Sequence, residues 1–346
     1  MNEFKIKYNN LKEKFMEKEY HVLSLSGGKD STALALWIKD NLPEVHEKIE
    51  YVFFDTEKEL EETYEYLNKI ESFIGKKIIR LKPDYSFDDL LSIYGNYLPS
   101  GQARWCTLEM KVKVFKKYIA EKIKKEGKGK VYLYIGIRAD ENREGFRAGE
   151  DDYIIPVYPF KEHGIEFKDV KDILEKSGIG FPKYYEWRSR SGCFFCFFQQ
   201  KIEWLGLYGK HPELFKQASE YEKVDKKTGT FFTWIENLPL TELVKPKKVK
   251  EIIDNYVKKY LREIKLLENK YPENKEILYL KKELENVEKR NIQYYKSKEN
   301  IYKTVLKIRE IENKINNLNI NKNSNKLVDI LDKNDDNLEN CLFCHL

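Results

Sequence analysis

Short apolar runs alternate with helix-spaced segments along the first half of this chain. HVLSLS (21–26), YVFFD (51–55), KIIRL (77–81) and VYLYIGI (131–137) are too short and too apolar for surface helices and read as buried strands. Between them, TALALWIKDNL and ELEETYEYLNKIESFI repeat apolar residues at helical spacing. Strand and helix signals in alternation predict an α/β fold, a doubly wound, mostly parallel sheet with helices on both faces. Ligands of such sheets bind beyond the carboxyl ends of the strands. Ser26, Asp55 and Arg138 each follow an apolar run, so they are expected at one crevice.

Outside that region the pattern changes. Residues 1–20 read as a polar amphipathic N-terminal helix. Residues 150–235 are rich in aromatics, Gly and Pro and continue the same domain, which spans 21–240. From 246 to 318 the spacing is helical throughout. One helix covers Lys247–Lys270 and stops at Tyr271-Pro272, since proline disfavours helix at the residue before it. A second covers about Asn274–Asn317. Along it Ile277, Leu280, Leu284, Val287, Asn291, Tyr294, Ile301, Val305, Ile308 and Ile315 fall on one heptad seam. The expectation is an antiparallel hairpin, whose seam suits a coiled-coil contact in a homo- or hetero-oligomer. Residues 319–346 form a polar, Asn-rich tail ending in CLFCHL.

Charge and cysteine usage narrow the setting. The net charge of +5 over 346 residues says little as a total, but 247–326 holds 21 Lys+Arg against 12 Asp+Glu. The basic excess therefore belongs to the hairpin and is suited to phosphate contacts with a nucleic acid. No apolar run of about 18 residues occurs, so no membrane partner is expected. MNEFKIKYNNLKEKF has no apolar core of a secretory leader, which points to the cytoplasm. Disulfides are rare there, so the five cysteines need another role.

The sharpest local signal is Ser26-Gly27-Gly28-Lys29-Asp30-Ser31, between a strand and a helix. Gly27 and Gly28 let backbone N–H groups approach an anion, and the helix N-terminus adds its dipole. Lys29 supplies a point charge, Asp30 can hold a divalent cation such as Mg²⁺, and Ser26 and Ser31 offer hydroxyls. It is not a G-x-x-x-x-G-K-[ST] loop. Asp55, at a strand end, can bind Mg²⁺ or a ribose hydroxyl. Arg138, Arg143 and Arg147 lie within ten residues beside glycines, and their forks suit phosphate or sulfate. Cys106 sits in RWCT, and the nearby Lys111 and Lys113 are expected to lower its pKa and favour thiolate. Cys193 and Cys196 form one CxxC pair, and Cys341 and Cys344, followed by His345, form another. CxxC is both a metal-ligand and a dithiol spacing. CxxCH also matches a haem attachment string, which requires an export context.

Together these segments resemble the PP-loop ATP pyrophosphatases, within them the phosphoadenosine phosphosulfate (PAPS) reductase family and its sulfurtransferase-type members. The carriers are SGGKDS, the Asp-Thr…Glu-Thr-Tyr segment from Asp55 to Tyr64, the Arg104–Lys113 stretch, Gly136-Ile137-Arg138 and the Cys193 pair, in family order over residues 20–235. Glu57 stands where the family usually has Gly. The resemblance implies an adenine nucleotide alpha-hydrolase-like fold, with ATP and Mg²⁺ on the loop and arginines on the nucleotide. Catalytic roles would fall to Lys29, Asp30, Cys106 and Cys344.

Three cysteine arrangements stay open for a 4Fe–4S cluster or Zn²⁺. Cys193, Cys196, Cys341 and Cys344 make one. Cys106, Cys193 and Cys196 make a three-ligand core, preferred because it needs nothing from the tail. That core plus a tail cysteine makes the third. The implied reaction is adenylation with release of pyrophosphate, then sulfur insertion into a nucleic acid, of DNA phosphorothioation or tRNA thiolation type. A cysteine desulfurase would be the sulfur donor. The alternatives are reduction of PAPS or adenosine phosphosulfate, and a catalytically idle nucleotide-sensing subunit of a larger assembly. The intact Lys29-Asp30 pair favours ATP, because sulfonucleotide reductases usually depart from the loop there.

Overall fold

The computed structural model describes residues 18–143, 145, 152–225 and 230–320. Five strands form one all-parallel sheet: β1 (Lys18–Ser24), β2 (Glu50–Phe54), β3 (Ile78–Leu81), β4 (Gly129–Tyr134) and β5 (Ile154–Val157). Their order is β3-β2-β1-β4-β5. The direction of winding reverses between β1 and β4, which opens a crevice at their carboxyl ends.

Alternation along the strands explains why the runs are apolar on both faces. Leu23 of β1 and Tyr51 and Phe53 of β2 pack on one side against α1 (Lys29–Asn41), α2 (Glu61–Ile74) and α5 (Phe167–Lys176). Tyr20, Val22, Val52, Phe54, Val131 and Leu133 pack on the other against Phe115 and Ile119 of α4 (Lys113–Glu126). Among the other early helices is α3 (Phe87–Ile93), opened by a capping box between Ser86 and Asp89.

β1 begins earlier than the apolar run, at Lys18, so Lys18–Tyr20 belong to the sheet rather than to an N-terminal helix. Their pairing with Gly129–Val131 outweighs their polarity. The rest of that expected helix lies outside the described residues.

A second core joins α6 (Lys201–Lys210), α7 (Pro212–Glu220), α8 (Pro246–Lys270), α9 (Lys275–Glu288) and α10 (Lys298–Ile320). The expected second long helix is two helices. It breaks at a 3₁₀ turn, Ile292–Lys296, where Asn291 turns its side chain back to accept the Tyr294 N–H at 3.1 Å. The break follows from local chemistry, since an Asn side chain competes with the helix for backbone donors. The seam residues Ile277, Leu280, Leu284, Val287, Ile301, Val305, Ile308 and Ile315 are all buried within the chain, and Asn291 is exposed. The seam is thus used in packing the chain's own helices. No helix among the described residues is long and apolar enough to cross a membrane.

Candidate functional site

Where β1 leaves the sheet, the chain turns through Ser26–Gly28 into α1. Gly27 has φ +72°, and a Cβ there would meet Thr63 at 3.0 Å. A Cβ on Gly28 would meet Ser191 Oγ at 2.8 Å, so a side chain would push the two segments apart. Ser26, Ser31 and Ser191 hydroxyls link across the turn, with Ser191 Oγ donating to Ser26 Oγ at 3.0 Å. Tyr184 OH donates to the Gly27 carbonyl at 2.7 Å, and the Lys29 N–H donates to Tyr185 OH at 3.2 Å. Two aromatic side chains from beyond β5 thus hold the loop in shape.

Asp30 is buried and takes two cations, Lys29 Nζ on Oδ2 and Arg138 Nη1 on Oδ1, both at 2.8 Å. Burial alone would raise its pKa, but Lys29 and Arg138 hold it well below the usual carboxylate range. Lys29 stays charged in return: burial would lower its pKa, and Asp30 raises it. Arg138 also donates to Asp140 and meets Glu141, each at 2.9 Å. Arg143 pairs with Glu141, and its buried Nε has no partner among the described residues. Arg147 lies outside those residues.

These groups line a cavity of about 800 Å³. Ser26, Gly28, Lys29, Asp30 and Ser31 form one wall, with Arg138 and Arg143 beside them. Phe167, Phe181, Tyr185 and Phe198 give it aromatic surface, and Lys29 lies over the rings of Phe167 and Tyr185. A cationic end, a helix N-terminus and aromatic walls suit a phosphorylated nucleotide.

Asp55 does not reach this cavity. It is buried at the end of β2, where Oδ1 accepts from Tyr64 OH at 2.7 Å and from the Glu57 N–H at 3.0 Å. Glu57 has φ +59°, a conformation a side chain adopts reluctantly, and Asp55 clamps it there. The family's glycine fits that same backbone.

Cys106, Cys193 and Cys196 come together around a second cavity of about 40 Å³ with Thr56, Lys111 and aromatic rings. Cys193 Sγ lies 3.2 Å from Thr56 Oγ1, which donates to Glu59 Oε1 at 2.6 Å. The expectation of a cation-activated thiolate fails at Cys106. Burial, with Cys196 beside it, pushes its pKa up to about 11, and Lys111 offsets only part. Lys113 is no help, because it is paired with Glu109. Burial also raises the Cys193 thiol, with Glu59 adding to it.

Among the described residues no group of three or more His, Cys, Asp and Glu is placed to hold a metal ion. That small cavity takes little more than ordered water. As arranged, the three thiols therefore do not form a ligand set for a cluster or zinc. Asp30 likewise has both oxygens occupied by cations. Cys341, Cys344 and His345 lie outside the described residues.

Several site residues carried no sequence signal of their own. Arg190 and Ser191 line both cavities and form their shared rim. Behind them Arg188, fully buried, donates to the carbonyls of Gly192 at 3.1 Å and Cys193 at 2.7 Å. Glu203 accepts from Ser189 N–H at 2.6 Å and Gln200 N–H at 2.9 Å. The far wall of the large cavity is α10, through Arg309, Glu312, Asn313, Asn316 and Asn317. A signal did exist there: three Asn in the last turns of a helix oppose helix propensity.

Residues 20–150 match the phosphoadenosine phosphosulfate reductase domain family. The chain is 28% identical over 268 residues to the uncharacterized 37.8 kDa protein in the gpa 5′ region of Escherichia phage 186, covering 61% of this chain and 76% of that one. It is 33% identical over 121 residues to an uncharacterized protein of Methanocaldococcus jannaschii, covering 35% of this chain and only 23% of the relative. The crystal structure of PAPS reductase from Candida auris, a phosphate complex, aligns with a TM-score of 0.38 at 16% identity, over 52% of this chain and 82% of that one. The matched segment runs from β1 through the Arg138 and Arg143 loop and stops before the Cys193 pair and the C-terminal helices. The segment that holds the SGGKDS loop, at the switch point of a parallel sheet, is thus similar to the PAPS reductase domain over residues 20–150.

Proposed function

We propose that this chain is an ATP-dependent PP-loop enzyme that adenylates an acceptor oxygen with release of pyrophosphate, after which a sulfur nucleophile displaces AMP, which carries that oxygen away. The observation that carries this is the Lys29–Asp30–Arg138 cluster lining the large cavity, which shares Arg190 and Ser191 with the cavity of the three cysteines. Lys29, Arg143 and the N-terminus of α1 would take the charge that grows on the leaving pyrophosphate. Asp30 would keep Lys29 and Arg138 charged and in place. ATP would enter as its Mg²⁺ complex, with phosphates supplying most of the metal's oxygens. No step of this chemistry is routed through a cluster. A thiol at the shared rim would lie next to the adenylated acceptor.

The acceptor we propose is a nucleic acid, with a cysteine desulfurase as sulfur donor. Lys258, Arg262 and Lys265 are exposed at helical spacing on α8 and make no ion pair among the described residues, which suits phosphate contacts without sequence reading.

The test is pyrophosphate release from ATP with RNA or DNA present. Lys29→Ala should lower it by about a hundredfold or more. If the wild type releases none, and instead yields sulfite from PAPS with thioredoxin, the chain is a sulfonucleotide reductase. The two adjoining cavities suit that reading too, because a thiol beside a bound sulfate is what it requires. Release of neither product would mark a nucleotide-sensing subunit. Iron, zinc and sulfide analysis after anaerobic purification addresses the cysteines separately: bound metal would mean that the tail completes a ligand set.

A further inference from the structure

We propose that α10 reads the base of the bound nucleotide, and that Asn313, Asn316 and Asn317 make the large cavity selective for adenine. The inference rests on the nucleotide reading above and deepens it. α10 lies outside the family match, so the selectivity would come from this chain's own C-terminal helices.

Placement comes first. Arg309, Glu312, Asn313 and Asn316 follow i, i+3, i+4, i+7 spacing, so they share one face of α10, and Asn317 adjoins it. All five line the cavity, while Ile308, Ile311 and Ile315 bury the opposite face in the core. The helix therefore presents its polar face to the ligand from a fixed backbone.

Chemistry comes next. Phosphates held at Lys29, Arg138 and Arg143 leave the base to the rest of the cavity. There the α5 side and the segment after it carry Lys171, Glu175, Lys183 and Glu186, charges with no counterpart on a neutral base. Neutral amides are Gln200 and the three Asn. Gln200 is already engaged, capping α6 and accepting from Tyr256 OH at 3.3 Å. No side-chain hydrogen bond is made by the three Asn among the described residues. An Asn amide sets a donor beside an acceptor, which matches the N6 donor and N7 acceptor of adenine. Guanine offers two acceptors at that edge and leaves the amide oxygen facing a lone pair. Arg309 adds a buried Nε–H without a partner among the described residues, its Nη1 being paired with Glu312. A ring nitrogen or ribose oxygen would satisfy it.

The experiment is equilibrium binding of ATP and of GTP to the full chain, to Asn313→Ala, Asn316→Ala, Asn317→Ala and the triple variant, and to Lys29→Ala. Alanine is the better helix former, so the Asn variants should keep the fold, checked by circular dichroism. The expected result is tighter binding of ATP than GTP, a ratio that falls by about tenfold in the triple variant, and a Lys29→Ala variant that weakens both nucleotides alike. An unchanged ATP/GTP ratio in the triple variant, with Lys29→Ala still weakening ATP, would overturn the α10 assignment and leave the nucleotide reading standing. No binding of either nucleotide by the wild type would overturn both.

Discussion

The large cavity gathers charge and keeps it: Lys29 and Arg138 each contact Asp30 at 2.8 Å, and the carboxylate and the two cations hold one another ionised. The small cavity, beyond Arg190 and Ser191, gathers thiols and suppresses charge, since burial raises both Cys106 and Cys193. Burial desolvates Asp30 in the one and the thiols in the other. The difference lies in pairing. A buried ion with opposite charges in contact recovers its desolvation cost, and a buried thiol facing other thiols and a carboxylate does not. The first site therefore stays ionised as it stands. The second needs something to arrive, a substrate or a ligand, before a thiolate is favoured.

The strongest blow to the contrast falls on the rim that joins the two cavities. Arg188→Ala removes the donor to the Gly192 and Cys193 carbonyls and should cost about 4 kcal/mol in urea unfolding, loosening both sites together. A loss below about 1 kcal/mol would mean that the rim is held by other contacts.

Next is Asp30→Asn, which leaves Lys29 and Arg138 without their counter-ion and should cost about 3 kcal/mol at pH 7. The sign with pH follows from the depressed folded pKa. The carboxylate's contribution is complete above the unfolded value of about 4 and fades as pH falls towards the folded value. Wild type and Asp30→Asn should thus converge in stability in acid. A constant gap from pH 7 to pH 3 would contradict the pairing.

A chemical probe sharpens the other side. With the Cys106 pKa moved from 9.0 to about 11, its thiolate fraction near neutral pH is about a hundredfold below that of an unperturbed cysteine. Alkylation of the wild-type chain by iodoacetamide, followed by mass spectrometry of the peptide that carries Cys106, should be slow at pH 8 and accelerate towards pH 11. Fast labelling at pH 7 would show a cation-activated thiol instead.

The smallest effect concerns the loop backbone. Gly27→Ala imposes a side chain at φ +72° close to Thr63 and should cost about 1 kcal/mol, with a larger loss in nucleotide affinity than in stability. Equal losses in both would argue that the loop serves the fold rather than the ligand.

Legibility in the sequence followed the range of the forces involved. The strands were readable because both faces of each are buried, which leaves continuous apolar runs such as YVFF. SGGKDS was readable because the turn, the helix start and the charge are adjacent in sequence. Asp55 misled, because a carboxylate at a strand end serves equally to clamp a strained Glu57 backbone, and only Tyr64 and the Glu57 N–H reveal which. Cys106 misled for a related reason. Lys111 and Lys113 are near in sequence, yet one faces the thiols and the other faces Glu109. The long C-terminal helix was overdrawn because the heptad count runs straight through Asn291, where a single side-chain cap stops it.

By itself the sequence determined the parallel α/β sheet and the glycine turn at its switch point, since these depend on local periodicity and spacing. The tertiary structure alone decided that Arg138 reaches Asp30 across 108 positions, that Arg190 and Ser191 divide two cavities, and that α10 forms a wall of the larger one. Those are long-range contacts between side chains. They are set by how the helices pack on the sheet, and no repeat or motif along the chain encodes that packing in readable form.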